Sequence, residues 1–200
     1  MKGGRKLAGA SEIEDALRKT GELLAARGEE YWIVAIGGAV MNLLGLVARA
    51  TIDVDVVAMA DPKSGGALHL RPPDHPLPAG LARAARTVAG DLGFAEDWLN
   101  AGPRSQWQTG FPPDWAAGIE WRQYGGLHVG LVDRRVLIHL KLHAAADDVG
   151  PRSVHFQDLM TLTPTEDELE RAAEWIRSTQ DPSPGMADSL SKLLTHVRTL

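Results

Sequence analysis

An uncharged stretch from Tyr31 to Ala48 does most to limit what this chain can fold into. Its first part, Trp32–Ile36, is short and rich in β-branched residues, which predicts a buried strand. The pair Gly37-Gly38 interrupts the stretch, and the segment 39–46 then has a helical pattern. We therefore expect a strand, a tight turn and a short buried helix here, and not a membrane span.

The rest of the chain alternates between helical and extended patterns. Ser11 and Glu14 form a capping-box pattern that predicts a helix over 11–27, ended by Gly28. The segment 51–57 predicts a second strand, and five prolines make 60–80 a long exposed loop. Further helices are expected over 81–92, 135–147, 152–161, 165–178 and 187–198, and a hairpin is expected over 119–132 around Gly125-Gly126. The helix over 165–178 should begin with a capping box of Thr165 and Glu168.

These elements predict the fold class and the division of the chain. We expect an α/β (α+β) core in residues 1–134, in which a small mixed sheet is flanked by helices. Residues 135–200 should form a helical C-terminal part. The hydrophobic fraction of 44% is sufficient to build a sizeable core.

Charge and cysteine content exclude several function classes. The chain has 21 Lys+Arg against 26 Asp+Glu, a net charge of −5, so a phosphate-rich partner would have to bind a local basic patch. There are no cysteines, which excludes disulfides, thiolate nucleophiles and zinc–thiolate sites. This composition, with no apolar run behind Met1–Gly9, leads us to expect a cytoplasmic protein without a signal peptide or membrane contact.

Two carboxylates close to the glycine pair are the strongest functional signal. In a strand, Asp53 and Asp55 would project from the same face, since the side-chain period is two. Two such carboxylates repel each other unless a cation neutralises them, and Mg²⁺ or Mn²⁺ bound together with a substrate phosphate suits that role. At Gly37 and Gly38, phosphate oxygens could approach backbone N–H groups where a helix begins.

The combination of Gly37-Gly38 with Arg49-x-Thr51-x-Asp53-x-Asp55 resembles the nucleotidyltransferase superfamily. Within it, the chain is most similar to the abortive-infection (AbiEii-like) group. A second resemblance lies in Leu140–Ala145, Arg152 and His155–Leu159, and a third in Trp98-Leu-Asn100. Together these cover about residues 31–175.

The resemblance implies a function and a set of site residues. It implies Mg²⁺- or Mn²⁺-dependent transfer of a nucleotide from an NTP to an acceptor hydroxyl, on RNA such as a tRNA 3′ end or on protein. Several members of the group are toxins of toxin–antitoxin pairs, so an antitoxin partner is also implied. Catalytic residues would be Asp53, Asp55, Lys141 and Asp158, with Asp53 and Asp55 holding the metal. Nucleotide-binding residues would be Gly37, Gly38, Arg49 and Thr51, although Arg49 could instead pair with an aspartate.

Other interpretations stay open. Many members of the superfamily use a third carboxylate, for which only Glu120 and Asp133 are candidates here. Without it, the chain could be a catalytically impaired module that binds a nucleotide or a partner. A small-molecule (antibiotic) adenylyltransferase is a further alternative. His139 and His143 have the i,i+4 spacing of a zinc site but lack an evident third ligand, so an ordinary histidine pair is expected there.

Overall fold

The computed structural model describes residues 4–62, 68–147, 153–179 and 185–199. The chain divides into two compact units. The first, here the α/β unit, consists of Met1–Trp107 and Ile119–Val132. The second, here the helical unit, consists of Gln108–Gly118 and Asp133–Leu200. The mixed α/β class expected from the sequence is confirmed.

One six-stranded mixed sheet organises the α/β unit. Its strands are β1 Tyr31–Ile36, β2 Val54–Pro62, β3 Leu68–Arg71, β4 Leu99–Asn100, β5 Glu120–Tyr124 and β6 Leu127–Leu131. They follow the order β3-β2-β1-β6-β5, and β4 pairs with β2 on the same side as β3. β1 is antiparallel to β2 and parallel to β6. The helices of this unit are α1 Ala10–Ala25, α2 Gly37–Leu43 and α3 Ala79–Leu92.

The strands at the centre of the sheet are buried. The last four residues of β1 and all five of β6 are buried. α1 packs against β5 and β6 and against α3, and its apolar face includes Leu17 and Leu24. The predicted hairpin around Gly125-Gly126 is confirmed, with Gly125 at a φ of +60°. The buried carboxyl end of β1 leads directly into α2 at Gly37.

The helical unit is built around one central helix. α5, Arg134–Asp147, contacts all three of the helices that follow it: α6 Val154–Thr161, α7 Glu166–Ser178 and α8 Met186–Val197. A short helix, α4 Gln106–Thr109, includes the point in the sequence where the first unit ends and the second begins. The capping box predicted for α7 is confirmed, because Thr165 and Glu168 each accept a hydrogen bond from the other's backbone N–H. No helix in the described ranges is both long and apolar enough to cross a bilayer.

The first two helices differ from the sequence-based prediction at their ends. α1 begins at Ala10 after Gly9, and Ser11 does not cap it. The Ala8 N–H instead donates to the Glu12 carboxylate, which also pairs with Arg5. α2 begins at Gly37 and ends at Leu43, before Leu46. Gly45 at a φ of +69° allows the Leu46 N–H to reach the Met41 carbonyl, and this ends the helix.

The strand after α2 also differs from its prediction. β2 begins at Val54, because Thr51 forms only an isolated bridge to Leu7, and Asp53 precedes the strand. The expected exposed loop over 60–80 is wrong in part, since β2 continues to Pro62 and pairs with β3. Its Gly65-Gly66 pair lies outside the described residues, as does Arg152.

Candidate functional site

The Asp55 carboxylate lies against the corner where β1 leads into α2. Ile36, the last residue of β1, pairs with Asp55 of β2. Gly37 follows with a φ of +81°, and a Cβ at Gly37 would lie 3.1 Å from Asp55 Oδ2. A side chain at position 37 would therefore be strained and would press on the carboxylate. The corner is shaped so that backbone and carboxylate approach each other closely.

Asn100 connects the two aspartates. Asp55 lies between two strands, paired with Ile36 on one side and with Asn100 of β4 on the other. The Asn100 amide Nδ2 donates a long hydrogen bond of 3.4 Å to Asp53 Oδ2. Its Oδ1 accepts from the Gly102 N–H at 2.6 Å, and a Cβ at Gly102 would lie 3.9 Å from Asp55 Oδ1. Asp53 thus bonds to the Asn100 side chain, Asp55 pairs with the Asn100 backbone, and both aspartates are partly exposed.

Arg49 and Thr51 lie beside the second glycine of the corner. A Cβ at Gly38 would lie 3.0 Å from Arg49 Nη2 and 3.3 Å from Thr51 Oγ1. The Thr51 hydroxyl donates to the Asp53 carbonyl at 3.3 Å, so it supports the segment that presents the carboxylates. The structure therefore brings together all six predicted residues of the α/β unit: Gly37, Gly38, Arg49, Thr51, Asp53 and Asp55.

Buried Asn42 holds this arrangement in place and was missed by the sequence reasoning. Its Nδ2 donates to the Gly38 carbonyl at 2.9 Å, and its Oδ1 accepts from the Arg49 N–H at 3.3 Å. The signal that could have identified it is a lone amide within the uncharged stretch, one helical turn after Gly38. Asn100 was noticed only as part of the family resemblance, without a role.

The other two predicted catalytic residues pair with each other inside the helical unit. Lys141 Nζ on α5 lies 2.7 Å from Asp158 Oδ2 on α6, and the two side chains are 8% and 2% exposed. A charge taken out of water needs a partner of opposite sign. The contact therefore explains how both groups are tolerated in the interior.

The two candidates for a third carboxylate have contacts of their own. Glu120 on β5 pairs with Arg122 Nε at 2.8 Å. β1 and β6 separate β5 from β2, which places Glu120 roughly 14 Å from the Asp55 strand at ~4.8 Å per strand. In the helical unit, Asp133 Oδ1 accepts from the Val136 N–H at 2.8 Å and so caps α5. Glu120 thus does not lie beside Asp55, and Asp133 is used to begin a helix.

The donor set at the corner fits a hard cation. Mg²⁺ is usually held by one or two carboxylates, with substrate phosphates and waters filling the other positions. Asp53 and Asp55 supply two such carboxylates, and Asn100 lies next to them. Within the described residues, no three His, Asp or Glu side chains form a group that could hold a metal by themselves. The residues present therefore fit a metal that a nucleotide helps to bind.

The histidine pair and Trp98 have structural roles. His139 Nδ1 bonds to the Arg135 carbonyl at 2.8 Å, and both His139 and His143 pack on Trp175. Trp98 is fully buried, and its Nε1–H donates to the Ala85 carbonyl at 2.9 Å. Trp98 therefore anchors the segment leading into β4, the strand that carries Asn100.

Comparison with known proteins adds no assignment: no protein-family model, curated protein or solved structure matches the chain.

Proposed function

We propose that this protein is a metal-dependent nucleotidyltransferase that moves a nucleotide from an NTP to an acceptor hydroxyl, like the group that its sequence resembles. The observation that carries the proposal is the position of the Asp55 carboxylate, whose Oδ2 lies 3.1 Å from the point where a Gly37 side chain would begin. Because glycine lets the backbone approach this carboxylate so closely, a divalent cation held by Asp53 and Asp55 would lie next to the corner, where it could also bind a phosphate group.

The proposed reaction assigns distinct tasks to the residues of the corner. The acceptor hydroxyl loses its proton to water and its oxygen forms a bond to the α-phosphorus, while the bond from the α-phosphorus to the bridging oxygen breaks and pyrophosphate leaves. Asp53 and Asp55 would hold Mg²⁺ or Mn²⁺, which supplies charge neutralisation at the phosphates when bound. Gly37 and Gly38 would keep the corner free of side chains next to the metal ligands, and Arg49 beside Gly38 would contribute positive charge.

The resemblance also assigns Lys141 and Asp158 to catalysis. Their ion pair at 2.7 Å supports a positioning role for Asp158, which holds the Lys141 ammonium in place. In the proposal, the resemblance alone assigns Lys141 a role in transfer, and Asp158 acts through it.

For the acceptor, we propose RNA such as a tRNA 3′ end, or protein, in a cytoplasmic setting with an antitoxin partner. The net charge is −5, Arg83 pairs with Glu29, and Arg122 pairs with Glu14. The surface as a whole therefore has little attraction for RNA. An RNA acceptor would have to bind through a local patch. Its KM should then rise steeply with salt, whereas the KM for a small acceptor should stay nearly constant.

A transfer assay tests the proposal. Wild-type protein is incubated with each α-labelled NTP, Mg²⁺ or Mn²⁺, and total RNA or protein from a lysate, and label in macromolecules is measured. Asp53→Asn and Asp55→Asn should each lower the rate by at least about 100-fold, since several kcal/mol of charge stabilisation is lost. Asp91→Asn is the matched control, because Asp91 is an exposed carboxylate on α3 in the same unit.

Two results would contradict enzymatic transfer. One is the absence of label on any acceptor with every NTP and both metals. The other is transfer that Asp53→Asn and Asp55→Asn leave at the level of Asp91→Asn. Chelation by EDTA should stop the reaction, and added Mg²⁺ or Mn²⁺ should restore it.

A second candidate is a nucleotide-binding module without turnover. The contacts of Glu120 with Arg122, and of Asp133 with the start of α5, favour it, because neither carboxylate is available as an uncommitted third ligand. Calorimetry with an NTP and Mg²⁺ separates the two candidates. Binding that Asp55→Asn weakens, together with no labelled product, would support the module.

A further inference from the structure

A cleft within the helical unit is lined by none of the residues used above for nucleotide transfer. It has a volume of about 450 Å³ and lies between the turn at Pro113-Asp114, α5 and α7. This size is in the range of small-molecule sites, which are typically about 300–1,000 Å³. The cleft is therefore large enough to hold a small organic ligand.

One wall of the cleft is a turn that a side chain holds in place. Asp114 has a φ of +55°, a left-handed conformation that aspartate adopts in turns more readily than most residues. The Arg135 guanidinium on α5 donates to the Pro113 carbonyl at 2.9 Å and to the Asp114 carbonyl at 3.1 Å. Arg135 thus shapes the wall, and Nη1 and Nη2 each use one of their two N–H groups there.

The opposite wall presents two charges of opposite sign. Arg171 and Glu174 both line the cleft from α7, and both are exposed. In the part of the chain that the structure describes, neither side chain forms an ion pair or a side-chain hydrogen bond. A guanidinium and a carboxylate therefore stand about one helical turn apart, each able to bind a ligand group of opposite charge.

The floor of the cleft offers a hydrogen-bond acceptor. His139 Nδ1 lies 2.8 Å from the Arg135 carbonyl, which can only accept, so Nδ1 carries the proton. Burial lowers the pKa of His139, which keeps the ring neutral at neutral pH. Its Nε2 is then an acceptor. The Trp175 indole packs edge-on against the ring, with centroids 5.8 Å apart, and adds apolar surface.

We propose that this cleft binds a small zwitterion of the free amino-acid type. Arg171 binds the ligand carboxylate, Glu174 and His139 Nε2 accept from the ligand ammonium, and Trp175 contacts the ligand's apolar part. The presence of Glu174 next to Arg171 disfavours a purely anionic ligand such as a nucleotide, since it would repel the phosphates.

Calorimetry on the full chain tests this proposal. The standard L-amino acids are titrated one at a time at millimolar concentration, and at least one should bind with 1:1 stoichiometry. Arg171→Gln and Glu174→Gln should each weaken its binding by at least about tenfold, because each removes a charge-assisted hydrogen bond. Both residues are exposed, so the variants should keep the wild-type unfolding midpoint.

Chemical changes to the ligand assign each end of it. The N-acetylated form of the bound amino acid lacks the ammonium, so it should bind wild type more weakly and lose nothing further in Glu174→Gln. The amide form lacks the carboxylate, so it should bind wild type more weakly and lose nothing further in Arg171→Gln. Arg177→Gln is the control, since Arg177 lies on the same helix and pairs with Glu170 at 3.0 Å.

Three outcomes would overturn the proposal. The absence of binding heat with every amino acid at millimolar concentration refutes the site. If Arg171→Gln and Glu174→Gln leave the affinity for the amino acid unchanged, the ligand binds elsewhere. Tighter binding of inorganic phosphate or AMP than of any amino acid, lost in Arg171→Gln, makes the cleft an anion site.

Discussion

Gly37 and Gly45 have similar backbone conformations but different surroundings. Gly37 has a φ of +81° and lies against Asp55, whereas Gly45 has a φ of +69° and a Cβ there would meet nothing within 4 Å. The pair thus separates the effect of backbone strain from the effect of crowding at the carboxylate. This distinction matters because only Gly37 is part of the candidate site.

We predict that Gly37→Ala and Gly45→Ala each lower the free energy of unfolding by about 1–2 kcal/mol, the cost of a left-handed conformation for an L-residue. Only Gly37→Ala should also weaken Mn²⁺ binding, since its methyl group would press on Asp55 Oδ2. Urea unfolding measures the stability, and Mn²⁺ titration followed by electron paramagnetic resonance measures the binding. Equal Mn²⁺ affinity in the two variants would contradict the role of the corner.

The second prediction at the residue scale concerns the buried ion pair. Lys141→Met should destabilise the protein by about 3–5 kcal/mol, because it leaves the Asp158 carboxylate buried without its partner. The double variant Lys141→Met/Asp158→Leu should be more stable than Lys141→Met alone, since no charge then remains buried. Urea unfolding measures all variants. Arg177→Met, which breaks an exposed pair with Glu170, is the control and should leave the midpoint nearly unchanged.

At the scale of elements, close packing of α1 on the β5–β6 hairpin depends on one glycine. The Gly21 carbonyl accepts from the Gly126 N–H at 2.9 Å, and a Cβ at Gly21 would overlap the Tyr124 carbonyl. Backbone cannot move aside as a flexible side chain can. Gly90 on α3 provides the comparison, because a Cβ there would meet nothing within 4 Å.

Alanine at these two helical positions should therefore have opposite effects. Gly21→Ala should destabilise by at least about 2 kcal/mol through overpacking. Gly90→Ala should stabilise by about 0.5–1 kcal/mol, since alanine loses less backbone entropy in a helix. Thermal unfolding followed by circular dichroism decides between them. A neutral Gly21→Ala would mean that α1 does not approach the hairpin this closely.

At the scale of the whole molecule, ligand binding should couple to stability. A ligand that binds only the folded state stabilises it by about 2.7 kcal/mol at one hundred times its Kd. Mn²⁺ with a non-hydrolysable NTP should therefore raise the unfolding midpoint of the wild type. It should not do so in Asp53→Asn, which lacks one of the two proposed metal ligands. Calorimetric scans with and without EDTA measure the shift, and an equal shift in both proteins would place the ligand outside the corner.

Local patterns in the sequence were sufficient for most of the elements. The β-branched run of β1, the Gly125-Gly126 hairpin and the Thr165–Glu168 capping box depend on neighbours close in the chain, and each was predicted. The pattern from Arg49 to Asp55 likewise identified residues that the fold brings together at one corner. These elements can be predicted from the sequence because backbone geometry and hydrogen bonding act over a few residues.

Contacts between distant segments were decided only by the tertiary structure. β3 forms because β2 continues to Pro62 and supplies an edge for it, which the proline content of that region concealed. Asn100 meets Asp53 across 47 positions of sequence, and Lys141 meets Asp158 through the packing of α5 and α6. A single sequence states which side chains can carry charge or donate hydrogen bonds. Which of them meet depends on how strands and helices pack, and that packing is a property of the whole chain.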